Sequence, residues 1–143
     1  MCIRDRKRLI DFIVQKRKKA KKITISYGCA GYLGSGYEGK ARDLLFNCNT
    51  GISTASILAN GDIFVCPNVP RQAELVQGNV RSDNFCDVWE NKFQILRDKN
   101  RSACGECTKC DDWDYCLGNS YHLWDFEEKV PKICHKKILA DKN

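Results

Sequence analysis

Apolar positions recur on two different periods along this chain. In "RLIDFIVQKRKKAKK", Leu9, Ile10, Ile13 and Val14 fall at helical spacing, and Lys and Arg crowd the last turns, where cations suit the negative end of the helix dipole. This predicts an N-terminal surface helix. "ITISYGC", from Ile23 to Cys29, alternates as a short β-type run. Five glycines between Gly28 and Gly39 then predict a turn-rich connection. "ASILANGDIFVC" reads as two strands joined at Asn60-Gly61, the pair that most readily takes the positive φ of a tight hairpin turn. "SDNFCDVWENKFQILRDK" predicts a helix with Ser82 or Asp83 as its cap and Phe85, Val88, Trp89, Phe93 and Leu96 on one face. Cys86, among apolar neighbours near its start, is expected to be a small buried thiol.

Strands and helices of this length place the chain in the α+β class, as a small cysteine-rich domain with a β-hairpin and short helices. At 143 residues and 43% hydrophobic content it can bury one modest core. No run approaches the ~18 apolar residues of a spanning helix, and the N-terminus is too charged for the apolar centre of a secretory signal. The expectation is a cytoplasmic protein without membrane insertion. The net charge of +6 is local: residues 1–22 hold ten Lys and Arg against Asp5 and Asp11, leaving fourteen basic against sixteen acidic residues elsewhere. With no aromatic-lined basic groove beside it, this is a solvated helix face, and no nucleic-acid partner is expected. The glycines at 31, 34, 36 and 39 do not form a G-x-G-x-x-G fingerprint between strand and helix, and no G-K-[ST] follows, so nucleotide binding gains no support. "MCIRDR", residues 1–6, resembles the translation of a sequencing-library adapter. On that reading Cys2 is not biological, and the chain is the downstream piece of a longer reading frame.

The chemistry is concentrated in ten cysteines. In a reducing compartment, clustered thiols argue for metal over disulfides. "CGECTKCDDWDYC" supplies Cys107-x2-Cys110-x5-Cys116, three thiolates at the spacing of iron-sulfur or structural zinc loops, and Cys134 could close the set. His122 and His135 could instead complete a mixed zinc site. The hairpin returns its ends to one place, so Cys48 and Cys66 can approach one another.

Taken together, Cys48-x12-Gly61-x4-Cys66, "GNV" at Gly78 to Val80, "DVW" at Asp87 to Trp89, Cys107-x2-Cys110-x5-Cys116 and Cys134 resemble the SPASM domain. SPASM domains form the C-terminal part of many radical S-adenosylmethionine enzymes that modify peptides and proteins. "SYGCAGYLG", "CNTGIS" and "GNSYHLWD" also look like a subgroup encoded beside lipoproteins. The resemblance implies iron-sulfur-binding loops and one or two auxiliary 4Fe-4S clusters. Cys107, Cys110, Cys116 and Cys134 would hold the cluster farther from the catalytic core. Cys48 and Cys66 would serve the nearer one, with Cys29 as the upstream candidate. One departure stands out: the fourth cysteine of the family's C-x2-C-x5-C-x3-C is Ser120 here. Cys104 is a candidate replacement, because serine oxygen substitutes poorly for thiolate at iron.

The resemblance divides the chain into residues 1–6 as adapter, 7–28 as the tail of a catalytic domain and 29–143 as the SPASM domain. The family's C-x3-C-x2-C motif, whose cluster binds and cleaves S-adenosylmethionine, is absent. The chain alone is therefore not expected to generate a radical. Its implied partners are a catalytic domain upstream and a peptide or protein substrate, with electron transfer and substrate positioning as its role. Two other classes remain open at this point: a zinc-stabilised binding module without redox chemistry, and a stand-alone electron carrier.

Overall fold

In the computed structural model, residues 3–98 and 104–140 are described; Met1, Cys2 and Lys99 lie outside them. Two compact units emerge, one from residues 1–48 with 105–143 and the other from residues 49–104.

The first unit begins with helix α1 (Ile3–Lys19), which ends in Lys16, Arg17, Lys18 and Lys19 as the charge pattern predicts. Ile10 is buried while Leu9 and Phe12 are exposed. Ile10 packs with Leu33, Ala41 and Leu139, flanked by Val14, Tyr27 and Tyr37. The β-type run predicted over Ile23 to Cys29 forms no strand. Its backbone groups pair singly instead: the Tyr27 amide donates to the Ala41 carbonyl at 2.9 Å, and the Arg17 guanidinium donates to the Ile25 carbonyl. Alternation makes a strand only where a neighbouring strand offers a ladder.

The glycine-rich stretch is a loop that turns at Gly31 (φ +102°) and Gly34 (φ +91°) and leads into helix α2 (Glu38–Ala41). Glu38, 1% exposed, organises it. One carboxylate oxygen accepts the Leu33 amide at 2.8 Å and the other accepts the Phe46 amide at 2.9 Å. Arg42 approaches the same carboxylate at 3.2 Å and donates to the Gly31 carbonyl at 2.8 Å. Its guanidinium also lies over the rings of Tyr27 and Phe46. A buried charge of either sign is tolerated only when its partner and hydrogen bonds are in place; here the two charges pair with each other and backbone groups supply the hydrogen bonds.

The C-terminal part of this unit runs through a 3-10 turn (Gly105–Lys109), helix α5 (Trp113–Cys116), a second 3-10 turn (Tyr121–Leu123), a hairpin of β4 (Trp124–Asp125) with β5 (Val130–Pro131), and helix α6 (His135–Ala140). Tyr121 packs against Trp124 and stacks on Phe126.

The second unit is built on the predicted hairpin. Strands β1 (Ser56–Ile57) and β2 (Asp62–Phe64) pair antiparallel, and Gly61 takes φ +89° at the turn. A side chain at Gly61 would also meet Asn79 Oδ1 at 2.7 Å, so both conformation and space require glycine. Strand β3 (Val76–Asn79) adds a third member beside β2, giving the order β1-β2-β3. The predicted helix is present as α3 (Phe85–Lys92), broken at Phe93, with a further turn α4 (Gln94–Arg97).

Two details of that helix differ from expectation. Its cap is Asn84, whose side chain accepts the amides of Cys86 and Asp87; Asp83 is instead engaged upstream, accepting the Asn79 amide at 2.7 Å. Cys86 is exposed rather than buried, because the face that turns inward carries Val88, Phe93 and Leu96, while Phe85 beside it is 40% exposed. These elements bear out the small α+β fold with short helices.

Candidate metal centre

Three chain segments of the first unit bring thiols to one cavity. The 3-10 turn at 105–109 leads into Cys110 and carries Cys107, α5 ends at Cys116, and Cys134 directly precedes α6. All four line a cavity of about 40 Å³, with Trp113, Pro131 and Ile133 among its walls. A single water needs roughly 10–15 Å³ by this measure, so the space suits a group of several atoms.

Local backbone chemistry sets the loop. The amide of Cys110 donates to the Cys107 carbonyl at 3.2 Å, and the amide of Trp113 returns to the Cys110 carbonyl at 3.0 Å, folding the C-x2-C segment on itself. After Cys116 the chain takes three successive left-handed residues, Leu117 (φ 48°), Gly118 (φ 82°) and Asn119 (φ 71°). Glycine and asparagine are the residues that enter this region most readily. The Asn119 side chain then bridges the unit: Oδ1 accepts the Tyr32 amide at 2.9 Å, and Nδ2 donates to the Ile133 carbonyl at 3.0 Å. One residue therefore ties the loop of Cys116 to the segment that delivers Cys134. Gly31 gives it room, since a side chain there would sit 2.5 Å from Asn119 Oδ1.

Burial pushes the Cys116 thiol up to about 12, and the nearby charges of Cys134, Cys107 and Cys110 add to the rise; the Asn119 backbone amide donates to the Cys116 carbonyl at 2.9 Å. Thiolates gathered at one site repel one another, and a bound metal relieves that repulsion. Among the described residues, no three of Cys, His, Asp or Glu converge as a single-ion site. A tetrahedral zinc would draw its sulfurs to about 3.8 Å apart, given Zn–S bonds near 2.3 Å. Thiolates lining one cavity are the donor type that iron-sulfur clusters and structural zinc both use.

Beside the thiols lies a polar chain that sequence reasoning missed. Asp112, 7% exposed, accepts the Ser35 amide at 3.3 Å, and its charge helps raise the pKa of the Tyr32 phenol, which burial raises most. Its Oδ2 is 3.4 Å from Lys136 Nζ, which donates to Cys110 Sγ at 3.6 Å. Burial lowers the Lys136 pKa, but Cys110 and Asp112 outweigh it and the net shift is upward.

The remaining candidates fall elsewhere. Cys29 is exposed, Cys48 buried, and Cys66 and Cys104 half-buried; none lines this cavity, and none of the nine described cysteines forms a disulfide. His135 Nε2 donates to the Ala30 carbonyl at 2.7 Å, and His122 Nδ1 lies 2.6 Å from Ser120 Oγ. Of the aromatic residues between Trp113 and Phe126, Trp113 lines the cavity, Tyr115 is 56% exposed, and Trp124 donates its indole N–H to the Gly118 carbonyl beneath the loop.

Among curated proteins and among solved structures, no match was found. A family description does match: residues 48–111, just under half of the chain, fit SPASM, an iron-sulfur cluster-binding domain. The matched stretch includes Cys48, Cys66, Cys104, Cys107 and Cys110 and stops before Cys116 and Cys134. Over residues 48–111 this chain is thus similar to SPASM domains, which bind an iron-sulfur cluster.

Proposed function

We propose that Cys107, Cys110, Cys116 and Cys134 hold an auxiliary 4Fe-4S cluster, and that the chain serves electron transfer and substrate positioning in a cytoplasmic radical SAM enzyme that modifies a peptide or protein. The observation that carries the reading is the meeting of these four thiols, from three chain segments, on one cavity. When bound, such a cluster supplies one-electron chemistry. The protein's own share is distinct. The four thiols lose their protons on loading, the Asn119 amide closes the loop onto the Cys116 carbonyl, and Trp113, Pro131 and Ile133 limit water at the sulfurs. S-adenosylmethionine and its own cluster belong, in this reading, to a catalytic radical SAM domain working with this one. Cys48 and Cys66, with Cys29 or Cys104, are the candidates for a second cluster.

The test is iron, acid-labile sulfide and zinc content of the full chain purified and reconstituted without oxygen. About four irons with matching sulfide, lost in Cys110→Ala, is the expected result, counting ~4 irons per cubane. About eight irons would add the second cluster. Stoichiometric zinc in a colourless protein that takes up no iron would overturn the proposal in favour of a zinc-stabilised module.

A further inference from the structure

We infer that Lys136 sets the redox poise of this centre: its ammonium, anchored by Asp112 and donating to Cys110 Sγ, raises the reduction potential of the cluster held there. The inference rests on the cluster reading above. Among the described residues lining the cavity, Lys136 is the cation and Asp112 the anion. Neither is loosely placed. Asp112 is 7% exposed and fixed by the Ser35 amide, and it holds Lys136 Nζ at 3.4 Å. The stem of Lys136 packs against Gly34, where an added side chain would meet Lys136 Cγ at 3.3 Å; Gly34 has φ +91°, so both its conformation and its lack of a side chain make room for the lysine. Nζ then reaches Cys110 Sγ at 3.6 Å.

The physical consequence follows from charge. Reduction takes one electron from an external one-electron donor onto the iron-sulfur unit, with no proton moved, so the reduced state carries one more negative charge. A fixed cation at a ligand sulfur favours that state, and hydrogen bonds to ligand sulfur act in the same direction. The Lys136 side chain is 35% exposed, which discounts the effect for solvent screening but leaves it within direct contact of the sulfur. Removing the ammonium also leaves the Asp112 carboxylate unopposed at the cavity wall.

The experiment is a spectroscopically monitored redox titration of the reconstituted full chain. The couple belonging to this site is the one that disappears in Cys110→Ala. Lys136→Met is expected to shift the reduced-to-oxidised ratio at fixed applied potential at least tenfold toward oxidised, which is 59 mV downward for a one-electron couple. Lys136→Arg, which keeps the charge, should remain within a few-fold of wild type. Lys136→Gln, neutral but still able to hydrogen-bond, should follow the methionine variant, and it carries the test if the methionine variant takes up no cluster. Neutral variants with wild-type iron content and an unmoved potential would overturn the role of Lys136 and leave the cluster reading intact. A wild-type chain that takes up no iron and sulfide would overturn both.

Discussion

Asn119 is the residue whose removal should most directly separate the parts of the proposed metal centre. In the wild type it is 6% exposed, sits at φ 71°, and spends both ends of its amide on backbone, the buried Tyr32 N–H at 2.9 Å and the half-buried Ile133 C=O at 3.0 Å. Asn119→Ala leaves both groups without that partner. Each orphaned group costs about 1–3 kcal/mol, and holding alanine in the left-handed region adds about 1–2 kcal/mol. Because the site relaxes and water enters, these contributions do not sum fully, and a loss of about 3–5 kcal/mol is expected. Asn119→Gly keeps the backbone conformation while losing the same bonds, so it should cost about 2–3 kcal/mol. The assay is denaturant unfolding of the metal-free protein, with iron uptake measured in parallel. The alanine variant should show the lower midpoint of the two, and both should load less iron at limiting supply, because Cys116 and Cys134 are no longer held in register. An alanine variant with the wild-type midpoint and wild-type iron uptake would refute the bridging role. Equal losses in the two variants would refute the contribution assigned to the left-handed backbone.

Glu38→Ala should be among the most damaging single changes in the first unit: it strands the buried Arg42 guanidinium and the amides of Leu33 and Phe46, and breaking one side of a buried ion pair costs about 3–5 kcal/mol, measurable as a lowered unfolding midpoint. The pH dependence of stability should carry a contribution from His122, whose pKa is lowered by burial. A base with a depressed folded pKa binds fewer protons folded than unfolded, so its contribution is present above about pH 6.5 and is lost as pH falls through the folded value. Unfolding midpoints of metal-free protein between pH 7.5 and 5.5 should therefore decline less steeply in His122→Gln than in wild type, and parallel declines would refute this.

How far the sequence foretold the fold depended on the range of the interactions involved. Asn60-Gly61 marked its hairpin because a positive φ at Gly61 is a local requirement, and the basic N-terminal helix followed from a local period. The run from Ile23 to Cys29 carried the same kind of local signal yet formed no strand, since pairing is decided by what lies beside it. The cap of α3 shifted from Ser82 or Asp83 to Asn84 because all three are good caps and Asp83 is claimed by Asn79, a competition that the helix pattern does not contain. At the centre, spacing picked out Cys107, Cys110 and Cys116, whose loops are short. The supports were hidden: Asn119 reaches Tyr32 across 87 residues, Asp112 reaches Ser35 across 77, and Lys136 reaches Cys110 across 26. Asn119 alone left a trace, the Gly118-Asn119 pair just after a cysteine, which suits a left-handed turn.

Ser120 shows how composition at one position constrains the chemistry of the centre. Its side chain is among the most buried in the protein, at 1% exposure, and its hydroxyl oxygen lies 2.6 Å from His122 Nδ1. A hydroxyl committed to an imidazole in a buried setting is already satisfied, and turning it toward iron would sacrifice that bond for a weaker ligand than thiolate. Ser120 does not line the cavity of the four thiols either. The set formed by Cys107, Cys110, Cys116 and Cys134 therefore requires nothing from position 120, and its capacity to load should be indifferent to the serine. The backbone just before it is another matter: Asn119 fixes both Cys116 and the approach to Cys134, so the sensitivity of the centre lies one residue upstream of the position where its cysteine pattern departs from the family's.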